Sequence, residues 1–403
     1  EAPAGCPSCR RYHRRFDYDG GLNPVRWRAL AWPAYVPEVA VDPALSSALD
    51  DVVGDVIEPA ASTVDAQGRF PRESVDALAQ AGFLGLLSAP EIGGRGGDLG
   101  TAAEVVRRIS AVCGSTAMVT TMHYAAVSVL ERFAGDDVRA AIASGRHLST
   151  LAFSEVGSRS HFWAPVGTAT AGDGSTVQLD SRKSWVTSAG HADSYVWSTR
   201  PVTAEGPMTL WHMPATADGL AVSGTFDGLG LRGNASSPMT ASGVAVPVAA
   251  MLGGDGQGLD LALETVLPTF LVLNAAFSIG LMQSLIAGAG AHLSRSRLEH
   301  LDQSLAEQPE QRRAYARLLT LADAAGLFLD DTLSALAAGR PDAMLRVLQV
   351  KSVAAESASE VADGVMRLCG GSAFRKELGI ERRFRDSLAA RVMAPTTEAL
   401  HDS

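Results

Sequence analysis

The chain has 403 residues, 46% of them hydrophobic and 19% charged, with a formal charge of −10. That length exceeds one ordinary core and suits two or three. The negative balance excludes a general nucleic-acid binder, which needs a basic face. No run of 18 apolar residues occurs and no secretory signal is visible, so no membrane partner is expected and a cytoplasmic setting is the default.

Residues 1–41 mix Trp, Arg, Pro and Gly without a period and read as an irregular extension. Cys6, Cys9 and His13 lie close together there, but zinc usually needs four ligands and no second Cys-x-x-Cys follows, so no metal is expected. The four cysteines of the chain do not make a disulfide scaffold. At Asp42-Pro43 the register changes: Asp42 is a good N-cap, Pro43 a good first helical residue, and Leu45, Leu49, Val52, Val53 and Val56 follow helical spacing. Pro59 is expected to end that helix. "FPRESVDALAQAGF" repeats the logic, with Pro71 at the start and Gly82 as the stop, and helical spacing continues through residues 42–150.

From residue 151 the period shortens. "STVQLDS", "SYVWST", "MTLWHM" and "GLAVSG" are β-rich runs separated by turn residues, so 151–250 reads as a small β-sandwich or barrel. Residues 251–403 return to long helices. One runs from about 258 to 297, another starts at Pro309, and a third follows Pro341 to the Gly370-Gly371 break. Long helices with short connections indicate a four-helix bundle.

Four stretches carry side chains that a fold does not need. "LAFSEVGSRSHF" offers Ser154, Ser158 and Ser160 in a Gly-containing loop, suited to a polar ring edge or a phosphate, or simply to a hairpin. "KSWVTSAGHADSYVW" sets Trp185 two residues before Thr187, which predicts one strand face shared by an indole and a hydroxyl; a core Trp is the alternative. "MRLCGGSAF" breaks a helix with two glycines, for close approach of a ligand or as a plain stop. "ERRFRDS" is a charge run of the kind found on solvated faces and in ion-pair networks.

In this order the stretches resemble the acyl-CoA dehydrogenase family of flavoproteins, over about residues 42–403. "LAFSEVGSRS" is similar to its flavin loop and "KSWVTSAGHADSYV" to its Lys-x-Trp-Ile-Thr-Asn-Ala-Gly strand. "GLGLRGNASSPMTASGVAVPVAAMLGGDGQGLDLAL" resembles its exit into the bundle, and "LCGGSAFRKELGIERRFRDS" its Gly-Gly turn and Glu-Arg-x-x-Arg-Asp signature. The resemblance implies an α+β fold with an N-terminal helical domain, a middle β domain and a C-terminal four-helix bundle. It implies non-covalent FAD, an acyl thioester substrate, an electron acceptor (a flavoprotein or oxygen), and a homodimer or homotetramer in which a neighbouring subunit completes the site. Carried over by position, Phe153, Ser154, Trp185, Val186 and Thr187 lie by the flavin ring. Ser160 lies near phosphate and acyl chain; Arg297, Arg367, Gly370, Gly371 and Thr396 face the rest of the cofactor.

The sequence departs from the family at the base that removes the α-proton. Counting from Arg385-Asp386, the usual Glu position is Ala394; the other position used in the family, counted back from "GLMQ", is Phe270. Glu398, one helical turn beyond Ala394, is the first candidate for a relocated base, with a raised pKa expected from burial, and Glu264 is the second. Besides dehydrogenation, a flavin monooxygenase on the same fold and a non-catalytic flavin-binding partner protein remain open.

Overall fold

A computed structural model describes residues 42–402 apart from 159 and 160. The irregular extension, with Cys6, Cys9 and His13, and the candidate Ser160 lie outside the described residues.

The N-terminal part is helical: α1 (Pro43–Val52), α2 (Glu58–Gln67), α3 (Arg72–Gln80), α4 (Leu99–Val112), α5 (Gly114–Phe133) and α6 (Asp136–Ala143). Asp42 caps α1, its side chain accepting from the amide of Ala44 at 2.8 Å. Pro59 does not end the first helix as expected. A π turn over Val53–Ile57 links α1 to α2 and leaves Pro59 in the first turn of α2, where its missing N–H is not needed. The stop falls at Gly68, whose left-handed φ of 61° closes α2.

The middle part holds β1 (Ser149–Ala152), β2 (Thr168–Ala171), β3 (Thr176–Val186), β4 (Ser194–Thr199), β5 (Thr209–Pro214), β6 (Leu220–Val222), β7 (Ser237–Pro247) and β8 (Met251–Leu252). They form two four-stranded sheets, β1-β4-β5-β8 and β2-β3-β7-β6. Only the β1–β4 pair in these sheets is parallel. Val177, Leu179, Trp197, Trp211, Val244 and Val246 fill the core of this part.

The remaining elements are α7 (Gly258–Leu261), α8 (Leu267–Arg295), the small hairpin β9 (Arg297–Leu298) and β10 (Gln303–Ser304), α9 (Pro309–Ala337), α10 (Ala343–Cys369), α11 (Ile380–Ser387), α12 (Ala389–Val392) and α13 (Thr397–His401). The helical run Gly258–Arg295 is long and apolar enough to cross a membrane, but 83% of its apolar window is buried inside the protein. It is a core helix: α8 packs on α4, α5, α9 and α10, and one apolar cluster extends from Leu49 to Leu400.

The charge run at 381–386 is a clasp between distant parts of the chain rather than a solvated face. Arg385 reaches both carboxylate oxygens of Asp65 on α2, at 2.8 and 2.6 Å, and Glu381 at 2.8 Å. Arg382 and Arg383 donate to the carbonyls of Val112 and Ala111, which the end of α4 leaves free. Asp386 is buried and accepts from the amide of Leu231 at 2.7 Å. One helix thus ties the N-terminal helices to the loop after β6.

Candidate active site

The stretch Phe153–Val156 runs antiparallel along the end of β3. Glu155 pairs with Lys183, the amide of Ser184 donates to the carbonyl of Ser154 at 2.9 Å, and that of Val156 donates to Arg182 at 3.2 Å. Phe153 begins this stretch, and Trp185 follows Ser184 on β3, where the strand register shifts. Phe153 is buried and stacks with Phe162, ring centres 6.4 Å apart.

Below this edge sits a buried ion pair that the sequence reasoning missed. Lys183 donates to Glu155 at 2.5 Å and to the carbonyl and hydroxyl oxygens of Ser198 at 2.6 and 2.8 Å, so all three protons are used. The other Glu155 oxygen accepts the amides of Val166 at 2.6 Å and Gly167 at 2.8 Å. The pair therefore fastens both ends of the loop that connects Glu155 to Val166. Burial lowers the Lys183 pKa to about 8, against the opposing pull of Glu155. The alternation along β3 carried the signal: Val177, Leu179 and Ser181 face inward, and Lys183 is next in that series.

Trp185 and Thr187 do not share a face. The register of β3 shifts between Lys183 and Val186, and Trp185 adopts a left-handed φ of 59°. This bulge turns the indole outward, 69% exposed, with Phe226 edge-on at 6.5 Å. Thr187 lies beyond the strand, buried, with its hydroxyl 3.1 Å from that of Ser236. Val186 is buried in the β core. Four of the five non-glycine residues with positive φ among those described are Trp185, Ser188, Leu231 and Ala235. They fall at the end of β3 with the turn after it and in the loop before β7, joined by hydrogen bonds from Ser188 to Asn234 (2.9 Å) and from Ala189 to Ala235 (3.2 Å). Backbone held in a costly conformation persists where the surroundings enforce it, and it clusters at ligand sites.

The candidates on the bundle are scattered. Arg297 and Arg367 are exposed and pair with Asp302 and Asp363. Gly370 ends α10 with a φ of 57°, and a Cβ at Gly370 or Gly371 would meet nothing within 4 Å, so the backbone there is open to a ligand. Thr396 caps α13, accepting from the amide of Ala399 at 3.3 Å.

Neither candidate base is buried. Glu398 is exposed in the first turn of α13. A hydrogen bond from its own amide, with the hydroxyls of Thr397 and Thr396, holds its carboxyl below the usual range, opposite to the expected rise. Helix-start amides stabilise an ionised carboxylate, and here they outweigh the desolvation that opposes them. Glu264 is exposed and pairs with Arg132 at 2.8 Å. Phe270 is buried and Ala394 half-buried.

The site is thus an outward indole on a strand edge that a buried ion pair fixes. Residues 42–145 match the family model "Acyl-CoA dehydrogenase, N-terminal domain", and residues 256–402 match "Acyl-CoA dehydrogenase, C-terminal domain". The chain is 25% identical over 360 residues to the short-chain specific acyl-CoA dehydrogenase of Bos taurus mitochondria, covering 84% of this chain and 83% of that protein. It is 25% identical over 363 residues to the cyclohex-1-ene-1-carbonyl-CoA dehydrogenase of Geobacter metallireducens, covering 86% and 93%. Among solved structures, butyryl-CoA dehydrogenase from Megasphaera elsdenii superposes with a TM-score of 0.84 at 19% identity, covering 91% of this chain and 98% of the other. FMN-bound TdsC from Paenibacillus sp. A11-2 superposes at 0.76 with 21% identity, covering 89% and 94%. The chain belongs to the acyl-CoA dehydrogenase family, and it is a FAD-dependent oxidoreductase.

Proposed function

We propose that the protein catalyses α,β-dehydrogenation of an acyl thioester, carried on CoA or on a carrier protein. The observation that carries this is the strand edge at Trp185, an exposed indole in strained backbone two residues beyond the buried Glu155–Lys183 pair. This edge fits a planar ring, and it stands in a chain resembling acyl-CoA dehydrogenases along most of its length. Phe153, Ser154, Trp185, Val186 and Thr187 would hold the ring. Arg297, Arg367, Gly370, Gly371 and Thr396 would serve the phosphates and adenosine, in this subunit or a neighbouring one of a homo-oligomer. Bound there, FAD would supply the acceptor for the β-hydrogen, which leaves as hydride. A flavoprotein or oxygen would then take the electrons.

The chain's own tasks are to orient the thioester and to remove its α-proton. That proton is weakly acidic, so a base must stand within hydrogen-bond reach of it. Glu398 remains the first candidate. Its lowered pKa keeps it ionised near neutral pH but makes it a weaker base. Glu264 is the second, and its ion pair with Arg132 would have to open.

A second reading, a flavin monooxygenase, is favoured by one specific observation: Phe270 and Ala394 cannot accept a proton, and the nearest replacement is solvent-exposed. The deciding experiment adds butyryl-CoA to the oxidised holoenzyme without oxygen. A dehydrogenase bleaches the flavin with no other reductant. Flavin that stays oxidised until NAD(P)H or a reductase is supplied, with hydroxylation once air is admitted, overturns the dehydrogenase reading.

A further inference from the structure

Where the family resemblance puts a carboxylate, two different polar side chains are buried. Lys351, in the third turn of α10, is fully buried. Its ammonium donates to the carbonyls of Met393 at 3.2 Å and Pro395 at 2.8 Å, the two residues that flank Ala394. Asn274, one turn beyond Phe270 on α8, is equally buried. Its amide nitrogen donates to the Met393 sulfur at 3.6 Å, and its Oδ1 has no hydrogen-bond partner among the described residues. The two apolar base positions are thus each accompanied by a buried polar residue, and both polar residues hold Met393.

This arrangement is costly in isolation. A buried ammonium loses its hydration, and hydrogen bonds to carbonyls return less than a carboxylate would. Burial lowers the Lys351 pKa to about 8, against the pull of Glu398 and Glu356. Those carboxylates have other partners: the Thr397 hydroxyl, with one proton to give, lies 3.0 Å from Glu356 and 3.3 Å from Glu398, and Arg391 donates to Glu356 at 3.5 Å. The gain lies in the backbone. Residues 393–395 form the break between α12 and α13, and without Lys351 the carbonyls of Met393 and Pro395 would lose this donor inside the protein.

We propose that Lys351 is a positioning residue for the acyl end of the active site: through Met393 and Pro395 it fixes the face that Ala394 presents, and Asn274 holds the same segment from α8. This rests on the reading that an acyl thioester binds beside Ala394. A site built this way confines the acyl group by shape, with the polar groups turned to the backbone behind it.

Lys351→Met keeps the length of the side chain and removes its donors. In the FAD-free protein, amide hydrogen exchange over residues 389–401 should accelerate about tenfold or more, while α8 and α9 keep their protection. In the holoenzyme, the limiting rate of flavin reduction by butyryl-CoA should fall about tenfold or more. KM and FAD content should stay within about twofold, a split that general loss of structure would not give. If Lys351→Met does not fold, Asn274→Leu removes the second hold without stranding a charge and is measured in the same way. Unchanged exchange over 389–401 overturns the proposal, and so does a loss of rate that only tracks lost FAD. If butyryl-CoA fails to reduce even the wild-type holoenzyme, the dehydrogenation reading falls, while the exchange measurement still decides the role of Lys351.

Discussion

Replacing Trp185 with glycine separates cofactor binding from folding at one position. The indole is 69% exposed, so removing it uncovers little buried surface, and the edge-on contact with Phe226 at 6.5 Å is its one ring contact among the described residues. An aromatic pair is worth about 0.5–1.5 kcal/mol. Against that loss, φ at 59° strains a bulky residue and costs glycine nothing, a gain of about 1 kcal/mol or more. The two terms nearly cancel, so the FAD-free variant should melt within a few degrees of wild type. FAD affinity has no such compensation. Loss of a stacked ring of the same 0.5–1.5 kcal/mol weakens binding about two- to thirteenfold, and more where the stack also excludes water. The assay is a fluorescence titration of FAD into cofactor-free protein, paired with thermal melting of both forms. Unchanged FAD affinity with a melting temperature well below wild type would refute the reasoning and make Trp185 a structural residue.

Lys183→Met should strand the buried Glu155 carboxylate and cost about 3–5 kcal/mol in urea unfolding, most of it recovered when Glu155→Gln is added. Acid should destabilise the protein through its buried histidines. Burial lowers the His123 pKa from 6.5 to about 4, so its contribution of about 3 kcal/mol is present above pH 6.5 and is lost as pH falls through 4. Asp386 has the opposite sign. Burial raises its pKa from 3.8 to about 6, so its contribution is present below 3.8 and lost as pH rises through 6; Asp386→Asn should therefore steepen the acid loss between pH 6 and 4, read from urea midpoints. Ala394→Glu returns a carboxylate to the family's usual base position and should speed flavin bleaching by butyryl-CoA about tenfold or more if proton removal limits the wild type; a slower variant places the base elsewhere. Glu398→Gln should slow the same bleaching by about a hundredfold if Glu398 is that base, and a wild-type rate would pass the question to Glu264→Gln.

The helices were legible because their ends are written locally: Asp42 accepts from an amide two residues on, Pro309 opens α9, and Gly370 closes α10. The order of the motifs along the chain was legible too, and with it the family. What failed depended on geometry between residues. Pro59 looked like a stop because a π turn leaves no mark in the apolar spacing. Trp185 and Thr187 were assigned one face because a bulge alters a period of two without altering the residues. Glu398 was expected to be buried because burial of a carboxylate is decided by packing, and α13 turns it to solvent. Lys351 and Asn274 passed unnoticed on helices whose neighbours are small and apolar, since their partners lie 42 or more residues away and 119 residues away.

The bond between Arg385 and Asp65 spans 320 residues of chain. During synthesis α2 therefore emerges long before its partner does, and Asp65 has no Arg385 to bind until 320 further residues have been made. Contacts of such separation carry a large closure entropy and form late in folding. The first helices are left with part of the apolar surface that α8 will cover still open, which is where a nascent chain of this kind is most exposed to aggregation or to a chaperone. A chain cut before residue 381 would lose the arginines that close the end of α4 as well as the partner of Asp65. The N-terminal helices therefore do not make a separable module: the last helices are what complete the first.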